Sequence, residues 1–316
     1  MTSLRDRVHL IELPLGRNRT VNATLIEGDP LTLVDTGART RESLEALEAA
    51  FARLGRRLED LELVVVTHPH HDHFGAAAEL RRRSGARVVG DGAAVTATYP
   101  ESFRPNTNMR IALFDESGAP DEIAARWRER ADHYLDDSEP VTLDQELGEG
   151  ESIRMGGADF SVLSAPGHAA TSIVLYQPEA RLLIAGDILI GNAGASVTLH
   201  ETSRPGRWFL DIVDSLAKLG ELDVDLAYPG HGPLIEDGTA TIRLRRSRAL
   251  QRYAEVEGLV RSAPTHAWGL STRIYPPGLG DSGLGLSQSL GYLEALQAEG
   301  RAISEKSGGV RTYAPR

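Results

Sequence analysis

Four of the chain's ten histidines fall between positions 68 and 73, in Thr67-His68-Pro69-His70-His71-Asp72-His73-Phe74-Gly75. The stretch follows a run of β-formers, Leu61 to Val66, and precedes an alanine-rich helical pattern, Ala76 to Arg83. It therefore reads as a strand-to-helix loop. Alternation along an extended backbone puts His68 and His70 on one side, where two imidazoles can share an ion. Asp72 and His73, one turn further on, can face a second ion. Neutral imidazoles with a carboxylate form a borderline-soft donor set that suits Zn²⁺ and tolerates Fe²⁺ or Mn²⁺. A polar loop that merely happened to be His-rich would not need this spacing.

His68-x-His70-x-Asp72-His73 resembles the signature of the metallo-β-lactamase fold superfamily. Three later motifs extend the resemblance: Ser164-Ala165-Pro166-Gly167-His168, Ala185-Gly186-Asp187 after a strand at Arg181–Ile184, and Tyr228-Pro229-Gly230-His231-Gly232. It spans roughly residues 8 to 240. The resemblance implies a four-layered αββα sandwich and two Zn²⁺ ions, with Mn²⁺ or Fe²⁺ as substitutes. His68, His70 and His168 would hold the first ion, and Asp72, His73 and His231 the second. Asp187 would bridge both, and Asp72 and Asp187 would be the catalytic carboxylates. Asp35, at the end of the strand Leu31–Val34, would support the metal loop from behind, because such partners fix ligand orientation.

For function, the resemblance implies a metal-activated water attacking an electrophilic carbon or phosphorus. A bridging aspartate is typical of glyoxalase-II-like thioesterases, lactonases and phosphodiesterases, and generally missing from all-histidine β-lactamases. Quorum-quenching lactonases tend to carry a tyrosine three residues after that aspartate, where this chain has Ile190. The expected activity is hydrolysis of a thioester or ester of a small acyl compound, CoA-linked forms included. Lactone hydrolysis and phosphodiester or RNA cleavage on the same site are the alternatives. Two non-hydrolytic readings also stand: a mononuclear iron oxygenase using His68, His168 and Asp187, and a DNA-binding regulator.

With 316 residues, 41% hydrophobic and 25% charged, the chain suits one large soluble domain plus a small one. Its net charge of −11 argues against a protein devoted to nucleic acid or anionic membrane. The lack of cysteine excludes disulfides and thiolate ligands, including the lactamase subclass with a cysteine-bound second metal. The start, Met1-Thr2-Ser3-Leu4-Arg5-Asp6, has no apolar leader character, and no apolar run reaches membrane-spanning length, so a cytoplasmic protein is expected.

Periodicity alone gives a mixed α/β class, and its two successive halves of strands and helices match the two-sheet sandwich that the resemblance implies. Strands are predicted at Val8–Leu15, Val21–Glu27, Leu31–Val34, Leu61–Val66, Ala86–Gly90, Val141–Leu143, Ser152–Met155, Phe160–Ser164, Thr171–Tyr176, Arg181–Ile184 and Val224–Tyr228. Helices are predicted at Thr40–Leu54 and Trp208–Leu219. Residues 93–140 interrupt this rhythm with Pro100, Pro105 and Pro120 and a helical segment through Ile123, Trp127, Ala131 and Tyr134. This insertion reads either as a passive surface addition or as a lid, with Phe103, Met109, Phe114 and Trp127 supplying an apolar wall. His71 occupies a variable position of the signature. His9, His133 and His266 lack ligand context, and Tyr228 reads as a packing residue. His200, in the loop after Asp187, could reach substrate but reads first as a surface histidine.

The catalytic domain is expected over 1–239 and a small winged-helix-like domain over 240–316. That tail carries eleven Lys and Arg against six Asp and Glu, so the acidity belongs to the first 239 residues. Helices at Arg243–Ser262 and Leu286–Ala298, then two strands around Gly308-Gly309, give the winged-helix pattern. Arg243, Arg245, Arg246 and Arg248 could form a phosphate stripe, but pairing with the acidic body is the simpler expectation. A homodimer through this tail is the other expectation.

Overall fold

The computed structural model describes residues 3–16, 19–91, 103–192 and 206–316. The first half runs β1 (Val8–Pro14), β2 (Thr20–Ile26), β3 (Thr32–Val34), α1 (Arg41–Arg53), β4 (Leu63–Val66), α2 (His71–Phe74), α3 (Ala77–Ser84) and β5 (Arg87–Gly90). After the insertion helices α4 (Phe103–Asp115) and α5 (Asp121–Asp136), β6 (Gln145–Glu146) closes the first sheet. The second half comprises β7 (Ser152–Met155), β8 (Ala158–Ser164), β9 (Ile173–Gln177), β10 (Leu182–Ile190), α6 (Trp208–Leu219), β11 (Leu226–His231) and β12 (Ile235–Glu236). The tail adds α7 (Gly238–Ser262), β13 (Thr265–His266), α8 (Ala267–Ile274), α9 (Gly283–Ala298), β14 (Ala302–Ser307) and β15 (Val310–Pro315).

Two six-stranded sheets, ordered β1-β2-β3-β4-β5-β6 and β12-β11-β10-β9-β8-β7, pack face to face. Alternation within the strands makes the layers. In β4, Leu63 and Val65 point into the inter-sheet core with Val34, Phe160, Leu175 and Ile184, whereas Val64 and Val66 meet Leu47 and Phe51 of α1 and Leu80 of α3. In β10, Leu182 and Ile184 point inward, and Leu183 and Ala185 meet Phe209, Ile212 and Leu216 of α6. Both faces of each sheet are thus covered, which explains why β4 and the first four residues of β10, Leu182 to Ala185, are apolar runs without polar alternation. The layers are helix, sheet, sheet, helix, as the αββα expectation required.

The predicted strand at Val141–Leu143 does not form. The edge of β5 is first met by Asp144, whose N–H donates to Val88 O at 2.7 Å and whose Oδ2 accepts Val88 N–H at 2.7 Å. Val141 and Leu143 instead pack on the α1–α3 side. Helix α4 is an addition to the predicted elements: Pro105 lies in its first turn, where no intrahelical N–H is needed. Helix α8 is another. It is only eight residues long and its N-cap is His266, whose Nδ1 accepts from Gly269 N–H at 3.2 Å.

Met109, Phe114 and Trp127, three of the side chains that would make the insertion's wall apolar if it were a lid, pack towards the tail. Phe114 is 1% exposed and meets the Trp127 ring edge-on at 6.1 Å, inside the core that holds Leu270, Leu286 and Leu290 of the tail. Met109 packs against the same cluster. Phe114 is taken up by insertion-to-tail contact and Met109 and Trp127 are partly so, while the side chains of Phe103, Ala131, His133 and Tyr134 lie outside the described residues. Glu116, between α4 and α5, clamps the junction by accepting from Lys306 Nζ at 2.8 Å and Arg311 Nη2 at 2.6 Å. Strands β13, β15 and β14 form a three-stranded sheet beside α7 to α9. Among the described residues no helix is long and apolar enough to cross a membrane.

Candidate metal centre

All the strand ends named in the sequence meet at one edge of the sandwich. His68 and His70 follow β4, Asp72 and His73 lie on α2, His168 follows β8, Asp187 lies within β10 and His231 ends β11. Nitrogen and oxygen atoms of His68, His70 and His168 lie within 4.8 Å of one another, as do those of Asp72, His73 and His231. His70 Nδ1 stands 3.1 Å from His68 Nε2 and 2.9 Å from His168 Nε2. Asp187 lies between the two sets: Oδ2 is 3.2 Å from His168 Nε2 and 3.3 Å from His231 Nε2, and Oδ1 is 3.4 Å from His73 Nε2.

Local backbone features put Asp187 there. The β10–β11 register shifts on both sides of Gly186, a bulge that re-aims the following side chain. Across from it, a Cβ on Gly230 would lie 2.0 Å from Asp187 Oδ1 and 2.9 Å from His73 Cε1, so only glycine lets the β11 backbone approach the carboxylate.

The outer partners fix which imidazole nitrogen carries hydrogen. Asp35 Oδ2 accepts from Thr67 Oγ1 at 2.8 Å, which spends the hydroxyl hydrogen. Thr67 Oγ1 then accepts from His68 Nδ1 at 3.0 Å, leaving a lone pair on His68 Nε2. His73 Nδ1 donates to Asp35 Oδ2 at 2.7 Å, and His231 Nδ1 donates to Thr20 O at 2.6 Å. In the neutral rings, both Nε2 atoms therefore also present lone pairs to the centre. Asp35 holds a left-handed backbone, φ 58°, a strained conformation that clusters at functional sites. The second-line role expected of it is what its hydrogen bonds provide.

The electrostatics of these side chains match a site built around positive charge. Burial, with the neighbouring His73 and His70, holds His68 well below its ordinary pKa, and burial and His168 do the same to His70. Burial opposes protonation of His73, but Asp187 and Asp35 outweigh it and raise that pKa. His231 is likewise disfavoured by burial, yet Asp187 pushes it up to about 9. Burial would raise Asp187 and Asp72, but the surrounding histidines keep both carboxylates ionised, well below the usual range. His73 Nε2 and Asp187 Oδ1 are buried and make no hydrogen bond despite their closeness, as expected of donors aimed at a cation. Imidazole lone pairs and two anionic carboxylates in this arrangement fit divalent metal ions.

The family model described as the metallo-beta-lactamase superfamily matches residues 16–231. The chain belongs to the metallo-beta-lactamase superfamily. Within that superfamily it is 29% identical over 293 residues to a probable metallo-hydrolase of Bacillus subtilis, covering 87% of each chain. A hydroxyacylglutathione hydrolase of Bartonella tribocorum is 29% identical over 179 residues, 56% of this chain and 51% of that protein. Among solved structures, a metallo-beta-lactamase family protein of Thermus thermophilus superposes with a TM-score of 0.83 at 28% identity, covering 99% of this chain and 100% of that one. The His/Asp centre accordingly belongs to a metal-dependent hydrolase family.

Sequence reasoning missed three parts of the superfamily site. Asn22 on β2 is 3% exposed and donates to Pro229 O at 2.9 Å and Gly232 O at 2.8 Å, holding the His231 loop from both sides. Thr67 relays Asp35 to His68, and the Thr20 carbonyl orients His231. A lone Asn in a strand of buried residues was the available signal for the first. His71 sits beside Asp72 at 3.6 Å, His9 pairs with Glu27 at 2.9 Å, and His200 lies outside the described residues. Tyr228 packs between the sheets, as expected.

Proposed function

We propose that the centre holds two divalent ions, Zn²⁺ foremost, and that the protein hydrolyses an activated acyl compound, a thioester or ester. The observation that carries this is Asp187, one carboxylate within 3.4 Å of histidines from both ligand sets. His68, His70 and His168 would hold one ion, Asp72, His73 and His231 the other, with Asp187 shared. Bound there, the ions supply Lewis acidity, lowering the pKa of water towards neutrality and polarising the scissile carbonyl. The chain's own part is preorganisation. Asp35 and Thr20 O present His73 and His231 with Nε2 inward, Thr67 does the same for His68, and Asp72 and Asp187 remain ionised, which offsets the mutual repulsion of two dications. The likeness to hydroxyacylglutathione hydrolases, whose name denotes a thioester substrate, supports acyl chemistry over phosphodiester cleavage. The acidic body, which would repel a polyanionic nucleic acid, supports it too.

The test has two stages. Metal analysis of the purified protein should give close to two ions per chain after loading with Zn²⁺. A panel of acyl-CoA thioesters, carboxyl esters, lactones, a β-lactam, bis-p-nitrophenyl phosphate and single-stranded RNA is then ranked by kcat/KM, with chelated protein as blank. Phosphodiesters or RNA outrunning every acyl substrate tenfold would replace this reading with a nuclease. A single persistent iron would replace it with an oxygenase.

A further inference from the structure

Away from the metal centre, α6, α7, α9 and Tyr275 line an open cavity of about 360 Å³. That volume lies within the range of small-molecule sites. Arg245, Arg248 and Arg252, three and seven positions apart on α7, share the helix face that lines it. Their charges are not equally balanced. Arg252 Nη1 is paired with Glu255 Oε2 at 2.8 Å and its guanidinium lies 5.8 Å from the Tyr275 ring centre. Among the described residues Arg245 donates to backbone carbonyls alone, those of Gly191 at 3.2 Å and Ile190 at 3.5 Å. Arg248 has no carboxylate partner among the described residues. Burial, and then the charge of Arg248, lower the pKa of Arg245, so the two guanidinium groups feel each other.

Of the four arginines expected to pair with the acidic body, Arg245 and Arg248 make no ion pair with it among the described residues. Glu255 also lines the cavity but is paired with Arg252. Among the described residues Arg245 and Arg248 are thus two like charges on one concave wall with no carboxylate paired to them, an arrangement that suits an anion. The cavity also has an orientation. Its Arg245 end touches Gly191, four residues after Asp187 and hence no more than about 14 Å away along the chain. Its other end is a wall of Tyr275 and Tyr292, whose hydroxyls are 3.4 Å apart, with the Gln251 and Gln288 amides beside it. Along α7 from the Gly191 contact, the lining presents Arg245 and Arg248 first and then Arg252 with the Tyr275 ring.

We propose that this cavity binds the phosphate-bearing, nucleotide-like end of the substrate, with phosphates at Arg245 and Arg248 and a base against Tyr275. The proposal rests on the acyl reading above and narrows it to thioesters on a nucleotide-bearing carrier such as coenzyme A. In that carrier the phosphates lie between the thioester and the base, the order in which the cavity presents its partners.

Binding of adenosine 3′,5′-bisphosphate to the zinc-loaded full chain is measured by calorimetry, with inorganic phosphate as reference. The bisphosphate should bind at least tenfold more tightly than phosphate. Arg248→Glu should weaken it at least tenfold and Arg248→Lys by less than threefold, whereas binding at the metal centre alone would be insensitive to both. In parallel, the ratio of kcat/KM for acyl-CoA to that for the matching S-acyl-N-acetylcysteamine, which has no nucleotide, should fall at least tenfold in Arg248→Glu. No bisphosphate binding, equal affinity in Arg248→Glu, or an unchanged substrate ratio would each overturn the proposal. Bisphosphate binding lost in Arg248→Glu, with neither thioester hydrolysed, would retain the nucleotide site and overturn the thioesterase reading instead.

Discussion

Asp35 accepts a hydrogen bond from His73 at 2.7 Å while its other oxygen accepts the Thr67 backbone N–H at 2.8 Å. One buried carboxylate thus sets the ring of a ligand and the start of the metal loop together. Replacement by Asn exchanges one acceptor oxygen for a donor and sets its N–H against either His73 Nδ1–H or the Thr67 donors. Asp35→Asn should lower metal affinity by about 10- to 100-fold, the usual cost of losing such a partner. Chelator competition measures it, and an affinity within threefold of the parent would show that His73 is oriented by something else.

Asp187→Ala should lower kcat by at least about 10²-fold, because the carboxylate offsets the charge of both ions and sets their spacing. Circular dichroism should show the fold intact. Near-normal turnover with two ions retained would mean that Asp187 does not bridge them.

Asn22 and Gly230 control the same loop by different means. Asn22→Ala leaves the carbonyls of Pro229 and Gly232 without their donor, at a cost of roughly 1–3 kcal/mol for each carbonyl left unsatisfied. Gly230→Ala removes no bond but drives a methyl into Asp187 Oδ1. Urea melts should therefore show Asn22→Ala destabilised, and metal titrations should show Gly230→Ala losing affinity at least tenfold. If Gly230→Ala bound metal normally, the close approach of β11 to Asp187 would be wrong.

Metal uptake should release protons. In the metal-free protein the raised pKa of His231, about 9, and of His73 keep both rings charged at neutral pH. Their pairing with Asp187 stabilises that state below the unfolded histidine value of about 6.5, and this contribution fades as pH rises through the folded values. A cation must displace these protons, so apparent Zn²⁺ affinity should rise from pH 6 to 9. Calorimetry at pH 7 in buffers of different ionisation enthalpy should give roughly two protons released per loaded chain. Identical heats in every buffer would refute this protonation state.

Much of the site was legible because each ligand sits in a local signal: β-run then His-rich loop, Pro-Gly-His, Ala-Gly-Asp, Pro-Gly-His-Gly. The two-sheet core was legible too, since Leu63 to Val66 and Leu182 to Ile184 are apolar on both faces. What escaped depends on contacts remote in sequence. Asn22 matters through carbonyls more than two hundred residues away, and Val141 lost its strand because Asp144 reached the β5 edge first. Phe114 has the composition of a pocket wall, and only the tail packed over it reveals that it is core.

The Glu116 clamp has a practical consequence for anyone recombining such proteins. Phe114 and Ile123 of the insertion share one core with Leu270 and Leu286 of the tail, and Lys306 and Arg311 converge on the carboxylate between α4 and α5. The two segments are separated in sequence by the whole second sheet, yet neither is complete alone. A chimera that exchanges residues 240–316 while keeping the parental 103–136 would expose aromatic surface on both pieces and strand Glu116 without its cations. The smallest transplantable unit is therefore discontinuous, and a crossover library should be cut so that both stretches travel together.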